Sequence, residues 1–211
     1  MSSKASPHHL FDTIYRFKPN RATGGGSSYL IVHPQGNVLL DAPAWNEEHV
    51  QAIQEMGGVA WWIFTHRGGI GEVERWLTAI VPQIVVHEQE AFLINGPVTR
   101  AFRQDTDLLP DVKLIWTPGH SPGSICVLYQ GTLFTGRHLL PDSTGLPRPL
   151  RLAKTFHWPR QLNSVRKLLE GPQFTRICPG AAVGLLRTAP AIEDAWEKVQ
   201  AVYKSDNPRS A

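Results

Sequence analysis

Ile63-Phe64-Thr65-His66-Arg67-Gly68-Gly69-Ile70-Gly71 is the stretch that decides how this chain is read. The apolar run from Val59 to Phe64 has the composition of a buried strand. After the stretch, Val73, Trp76, Leu77 and Ile80 recur at helical spacing. Thr65 to Gly71 is therefore a loop between the carboxyl end of a strand and the start of a helix. Layered α/β folds hold their ligands in crevices at such places.

Working outward, Leu10 to Phe17 reads as a first strand, because Phe11, Ile14, Tyr15 and Phe17 favour sheet. Ser28–His33 and Asn37–Asp41 read as two strands joined by the turn Pro34-Gln35-Gly36. Asn46 is placed to cap a helix carrying Val50, Ile53 and Met56 on one face, and Gly57-Gly58 ends it. Beyond the central helix, Gln83–Val86 is a short strand and Glu88–Ile94 a short helix, and 96–110 reads as irregular. Val112–Trp116, Gly123–Tyr129, Thr132–Thr135 and Phe174–Cys178 read as further strands. Pro141 to Pro159 is a long loop rich in Pro and Arg. Gln161–Glu170 is an amphipathic helix, and a last helix is expected to start at Pro190. Strands dominate each half, with helices between and after them. This suits an α+β chain built as a four-layer αββα sandwich.

The chain has 211 residues. Residues 1–9 read as a loose polar tail and 10–211 as one domain. A hydrophobic share of 42% and a charged share of 18% describe a soluble globular protein. The formal charge is only +3 and the cations are scattered, so no nucleic-acid stripe is present. The two cysteines, Cys126 and Cys178, sit among apolar neighbours and read as buried small hydrophobes. The polar start is not a signal peptide, and no apolar run reaches the length of a membrane span. No membrane partner is expected, and the cytoplasm is the expected location.

Five markers occur in one order. They are the strand Asn37-Val38-Leu39-Leu40-Asp41, the Thr65-His66 loop, Thr117-Pro118-Gly119-His120-Ser121-Pro122-Gly123-Ser124, Leu133-Phe134-Thr135-Gly136-Arg137, and Cys178-Pro179-Gly180-Ala181. In order and spacing they resemble the metallo-β-lactamase superfamily. That family carries a strand ending in Asp, T-H-x-H-x-D-H, T-P-G-H-T-x-G-S, L-F-x-G-D and P-G-H. The resemblance implies the sandwich fold and a site where two divalent ions polarise a carbonyl or phosphoryl oxygen and generate hydroxide.

The implied ligands are mostly replaced. His66 and His120 match the family, but Gly68, Ile70, Gly71, Arg137 and Ala181 stand where it has His, Asp, His, the bridging Asp and His. Arginine stays protonated and repels cations. No metal or other cofactor is therefore expected. The leading expectation is a catalytically altered or inactive member that binds a small anionic metabolite near Arg137, His66, His120, His138 and Asp41. A guanidinium suits carboxylate or phosphate. Arg148, Arg151, Lys154 and His157 in the following loop are further candidates for the pocket wall. One alternative is a mononuclear hydrolase of esters or thioesters, with one zinc or iron ion on His66, His120 and His138, or with Glu72 as third ligand. Another is a structural or partner-binding subunit, suggested by the seven tryptophans. Gly24-Gly25-Gly26 lacks the Lys of a phosphate loop, and Ser121 and Ser124 lack a nucleophile-elbow motif.

Overall fold

The computed structural model describes residues 6–206. The chain divides into two compact units, Met1–Arg103 and Gln104–Ala211.

The first unit carries a seven-stranded sheet. Its strands are β1 (His8–Phe11), β2 (Ile14–Arg16), β3 (Tyr29–Ile31), β4 (Val38–Leu40), β5 (Trp61–Ile63), β6 (Gln83–His87) and β7 (Val98–Phe102), side by side in that order. Neighbours from β1 to β4 run antiparallel, and those from β4 to β7 run parallel. Helices α1 (Glu47–Glu55), α2 (Val73–Trp76) and α3 (Glu88–Ala91) lie between the parallel strands in sequence. Leu30, Leu39, Trp62, Ile84 and Val86 from the sheet pack with Ile53 of α1 and with Val73 and Trp76 of α2. Trp76 sits edge-on to both Trp62 and Trp45. Asn46 caps α1 as expected: its side-chain oxygen accepts the His49 N–H at 2.6 Å. Gly57 and Gly58 take positive φ just after the helix.

The second unit carries β8 (Thr106–Leu109), β9 (Val112–Trp116), β10 (Ile125–Tyr129) and β11 (Thr132–Phe134), then a small hairpin of β12 (Leu140–Pro141) and β13 (Pro147–Arg148). Helix α4 (Trp158–Glu170), β14 (Arg176–Cys178), β15 (Ile192–Glu193) and helix α5 (Ala195–Asp206) complete it. The large sheet has the order β15-β14-β11-β10-β9-β8, with only β11 and β14 parallel. Ile115, Cys126, Leu133 and Ile177 pack with Val165 and Leu168 of α4 and Val199 of α5. Both cysteines are buried and free, as their apolar surroundings imply, and burial pushes the Cys126 thiol up to about 12.

Several boundaries differ from the sequence reading. Residues 1–5 of the expected tail lie outside the described residues, but His8 and His9 already belong to β1. The expected first strand is a hairpin, because Asp12 takes a φ of 48° and turns the chain back. The span 96–110, read as irregular, holds β7 and β8. These are the outermost strands of their sheets, and such strands carry polar residues that mask the alternation. Pro190 does not open the last helix: Ile192 and Glu193 first pair with β14, and α5 starts at Ala195. Helix α2 is a single turn, although Ile80 beyond it still reaches the core. Among the described residues no helix is long and apolar enough to cross a membrane.

Candidate functional site

In the first unit the parallel strands β4 and β5 end side by side, β4 just before Asp41 and β5 just before the loop Thr65 to Gly71. Asp41 follows β4 with a φ of 55°, a left-handed conformation that aspartate tolerates better than most residues. Its carboxylate accepts the Thr65 N–H at 2.8 Å and the Thr65 hydroxyl at 2.6 Å. The His66 Nδ1 lies 3.0 Å from that same hydroxyl. The hydroxyl has one proton, which it gives to Asp41, so Nδ1–H donates to Thr65 and a neutral His66 keeps its lone pair on Nε2. Asp41, Thr65 and His66 thus form a buried relay that fixes both the orientation and the tautomer of the ring. Gly69 makes the relay fit. A β-carbon there would lie 2.2 Å from Asp41 Oδ1, so any side chain would displace the carboxylate. The loop is also held from outside, since Arg67 Nε donates to the buried Glu90 at 3.1 Å.

In the second unit, the end of β9 at Trp116 and the segment Thr117 to His120 that follows it are fixed through their carbonyls. Lys167 Nζ donates to Trp116 O at 2.8 Å, Ser164 Oγ to Pro118 O at 2.8 Å, His157 N to Gly119 O at 2.9 Å, and Phe156 N to His120 O at 3.0 Å. Gly119 permits this docking, because a β-carbon there would lie 2.4 Å from the Gln161 backbone. The turn after β11 is closed by His138 N on Thr135 O at 2.8 Å and Thr135 Oγ1 on Leu139 O at 2.7 Å. Gln161 Nε2 donates to His138 O at 3.0 Å, so α4 grips both segments. Gly180 N donates to Gly136 O at 2.7 Å, which sets Arg137 and Ala181 on neighbouring loops. His120 and His138 are buried and Arg137 is half-buried. Burial, and secondarily repulsion from His120, pushes the His138 imidazole down to about 3, so it is neutral at pH 7.

The residues present do not fit a pair of metal ions. Ile70 packs in the core with Val73 and Trp76. Gly71 is walled in, since a β-carbon there would lie 3.0 Å from Thr23 Cγ2 and 3.1 Å from Ala42 Cβ. Apolar packing has therefore filled positions where the resemblance places ligands. Among the described residues no three His, Cys, Asp or Glu side chains are grouped so as to hold a metal ion.

The remaining candidates fall in the second unit with separate duties. Arg148 Nε donates to Asp142 at 2.7 Å, and its Nη1 donates to Asp206 at 2.8 and 2.9 Å. Burial alone would raise the Asp142 carboxyl, but hydrogen bonds from Thr144, Arg148 and the Leu146 N–H outweigh it and hold it at about 2. His157 caps α4, its Nδ1 accepting the Arg160 N–H at 3.2 Å. Arg151 and Lys154 are exposed. Sequence reasoning missed Gln161, Ser164 and Lys167 as anchors. Their signal was present: three polar residues spaced by three along the helix, beside the apolar stripe.

No family model and no curated protein matches the chain significantly. Solved structures do. TTHA1623 in a di-iron-bound form is 20% identical with a TM-score of 0.63, over 87% of this chain and 97% of that one. BJP-1, a subclass B3 metallo-β-lactamase of Bradyrhizobium japonicum, is 16% identical with a TM-score of 0.62, over 99% and 96%. ST1585, an archaeal metallo-β-lactamase superfamily protein from Sulfolobus tokodaii, is 14% identical with a TM-score of 0.60, over 85% and 79%. With two large sheets in the observed strand orders, and similarity that runs through both units, the chain has the metallo-β-lactamase fold.

Proposed function

We propose that this protein works without the two-metal chemistry of its fold and binds a small anion at Arg137, as an altered or inactive member of the superfamily. The observation that carries the reading is Arg137 itself. It stands at the position that the resemblance gives to the bridging aspartate, on a turn fixed by Thr135, Gly180 and Gln161. A guanidinium there repels a dication by about 4 kcal/mol per unit charge at ~4 Å in a partly buried setting. It attracts a carboxylate or phosphate through paired, charge-assisted hydrogen bonds. Asp142, the acid five residues along, is engaged by Arg148 and does not compete. His138, neutral at pH 7, would contribute an uncharged hydrogen-bonding group beside the cation.

Two measurements test the reading. Acetate and inorganic phosphate are titrated into the protein and into Arg137→Ala, with binding followed by the shift in Tm. At least one anion is expected to raise Tm in the wild type and to lose that effect in the variant. Equal shifts in both proteins would remove Arg137 from the site. Metal content is measured on protein purified without a metal-binding tag, before and after zinc and iron loading. Metal far below one ion per chain is the expected result. A near-stoichiometric ion that is lost in His120→Ala would replace this reading with a one-metal hydrolase.

A further inference from the structure

A cleft in the second unit is lined by Ser143, Thr144 and Gly145 and by residues of the span 185–198. Its volume is about 410 Å³, within the size range of small-molecule sites. Leu186, Ala191 and Ile192, all buried, form an apolar floor. Ser143, Thr144, Arg187 and Lys198 bring polar groups to its lining. Arg187 is exposed, and among the described residues its guanidinium has no hydrogen bond or ion pair. Lys198 Nζ spends one N–H on Glu193 O at 2.7 Å and lies 3.8 Å from Asp194, which leaves donors over. The one acid on the lining, Glu193, is paired with Arg176 at 3.3 Å.

The backbone points the same way. Arg187 has φ 54° and ψ −110°, a combination that costs an ordinary residue about 1–3 kcal/mol. A glycine there would be relaxed, yet the position holds a long cation without an ionic partner among the described residues. The larger cleft in the first unit, lined by Glu72, Glu74, Arg75 and Asn95, differs in this respect. There Arg75 pairs with Glu72, and Asn95 donates to Glu74. Its charges are already satisfied.

We infer that the cleft under Arg187 and Lys198 binds a small amphiphilic carboxylate, its head on the two cations and its apolar body on Leu186, Ala191 and Ile192. The site is independent of the reading at Arg137. Octanoate serves as the probe, titrated into the 15N-labelled protein. Amide shifts are expected at 143–145 and 185–198. Affinity is expected to fall about ten-fold or more in Arg187→Gly, which removes the guanidinium and relaxes the backbone at once. Lys198→Met is expected to weaken binding as well. In Arg137→Ala the octanoate-induced shifts at 143–145 and 185–198 are expected to persist with the wild-type midpoint, which separates this site from the other. Absence of binding, shifts confined to other residues, or full affinity in the Arg187→Gly, Lys198→Met double variant would each overturn the proposal.

Discussion

His138 has both ring nitrogens buried, and among the described residues neither carries a hydrogen bond. Such a group costs stability, because it has left water without finding a partner. His138→Leu is therefore expected to leave the protein as stable at pH 7 or to stabilise it by about 1 kcal/mol. The pH dependence follows from the depressed folded-state value. As pH falls below 6.5 the unfolded chain takes up this proton before the native chain does, so the contribution is whole above that pH and is lost toward about 3. The loss reaches at most about 1.4 kcal/mol per pH unit. Urea unfolding at pH 7 and pH 5 should show a smaller drop for His138→Leu than for the wild type, and equal drops would refute the assignment. Gly69 makes the opposite case. Gly69→Ala pushes a methyl into Asp41 and breaks its bonds to Thr65, at an expected cost of about 2 kcal/mol in the same assay. An unchanged midpoint would mean that the relay does not hold the loop.

Helix α4 is the element that fixes His120. Its own side chains take the carbonyls of Trp116, Pro118 and His138, and the residues that lead into it take those of Gly119 and His120. Ser164→Ala is expected to cost about 1 kcal/mol, with faster hydrogen exchange at the amides of Phe156 and His157. Unchanged exchange at those two amides would show that α4 is not the anchor. The amphipathic face that packs this helix was legible, because Leu162, Val165, Leu168 and Leu169 recur at helical spacing. Its polar grip was not, because the acceptors are backbone carbonyls 23, 46 and 51 residues away and no side-chain pattern announces them. Strands β7 and β8 were missed for the related reason that outer strands lack a clean apolar alternation. The helix expected from Pro190 was displaced because sheet pairing of Ile192 and Glu193 with β14 overrode a local preference.

Across the whole chain, a ligand that binds only the native state raises Tm by mass action. Excess zinc is accordingly expected to leave Tm unchanged by calorimetry, whereas a rise that persists in His120→Ala would place a metal on residues other than those considered. Restoring single ligands should not rebuild a centre: Ile70→Asp would bury a carboxylate in the core around Trp76 and is expected to destabilise by about 3 kcal/mol or more, read by urea unfolding. The sequence by itself determined the fold class, because short motifs in fixed order carry the turns and strand ends that any such chain must keep. It also placed side chains without a metal-binding donor at Gly68, Ile70, Gly71, Arg137 and Ala181, the positions where the resemblance implies ligands. Only the tertiary structure decided that two of those positions are closed by packing, with Thr23 and Ala42 against Gly71 and the tryptophan core around Ile70. It alone decided which charges are paired among the described residues, such as Arg148, and which are not, such as Arg187. The reason is physical: donor chemistry belongs to a single residue, whereas available space and net charge depend on neighbours far apart in the chain that folding brings together.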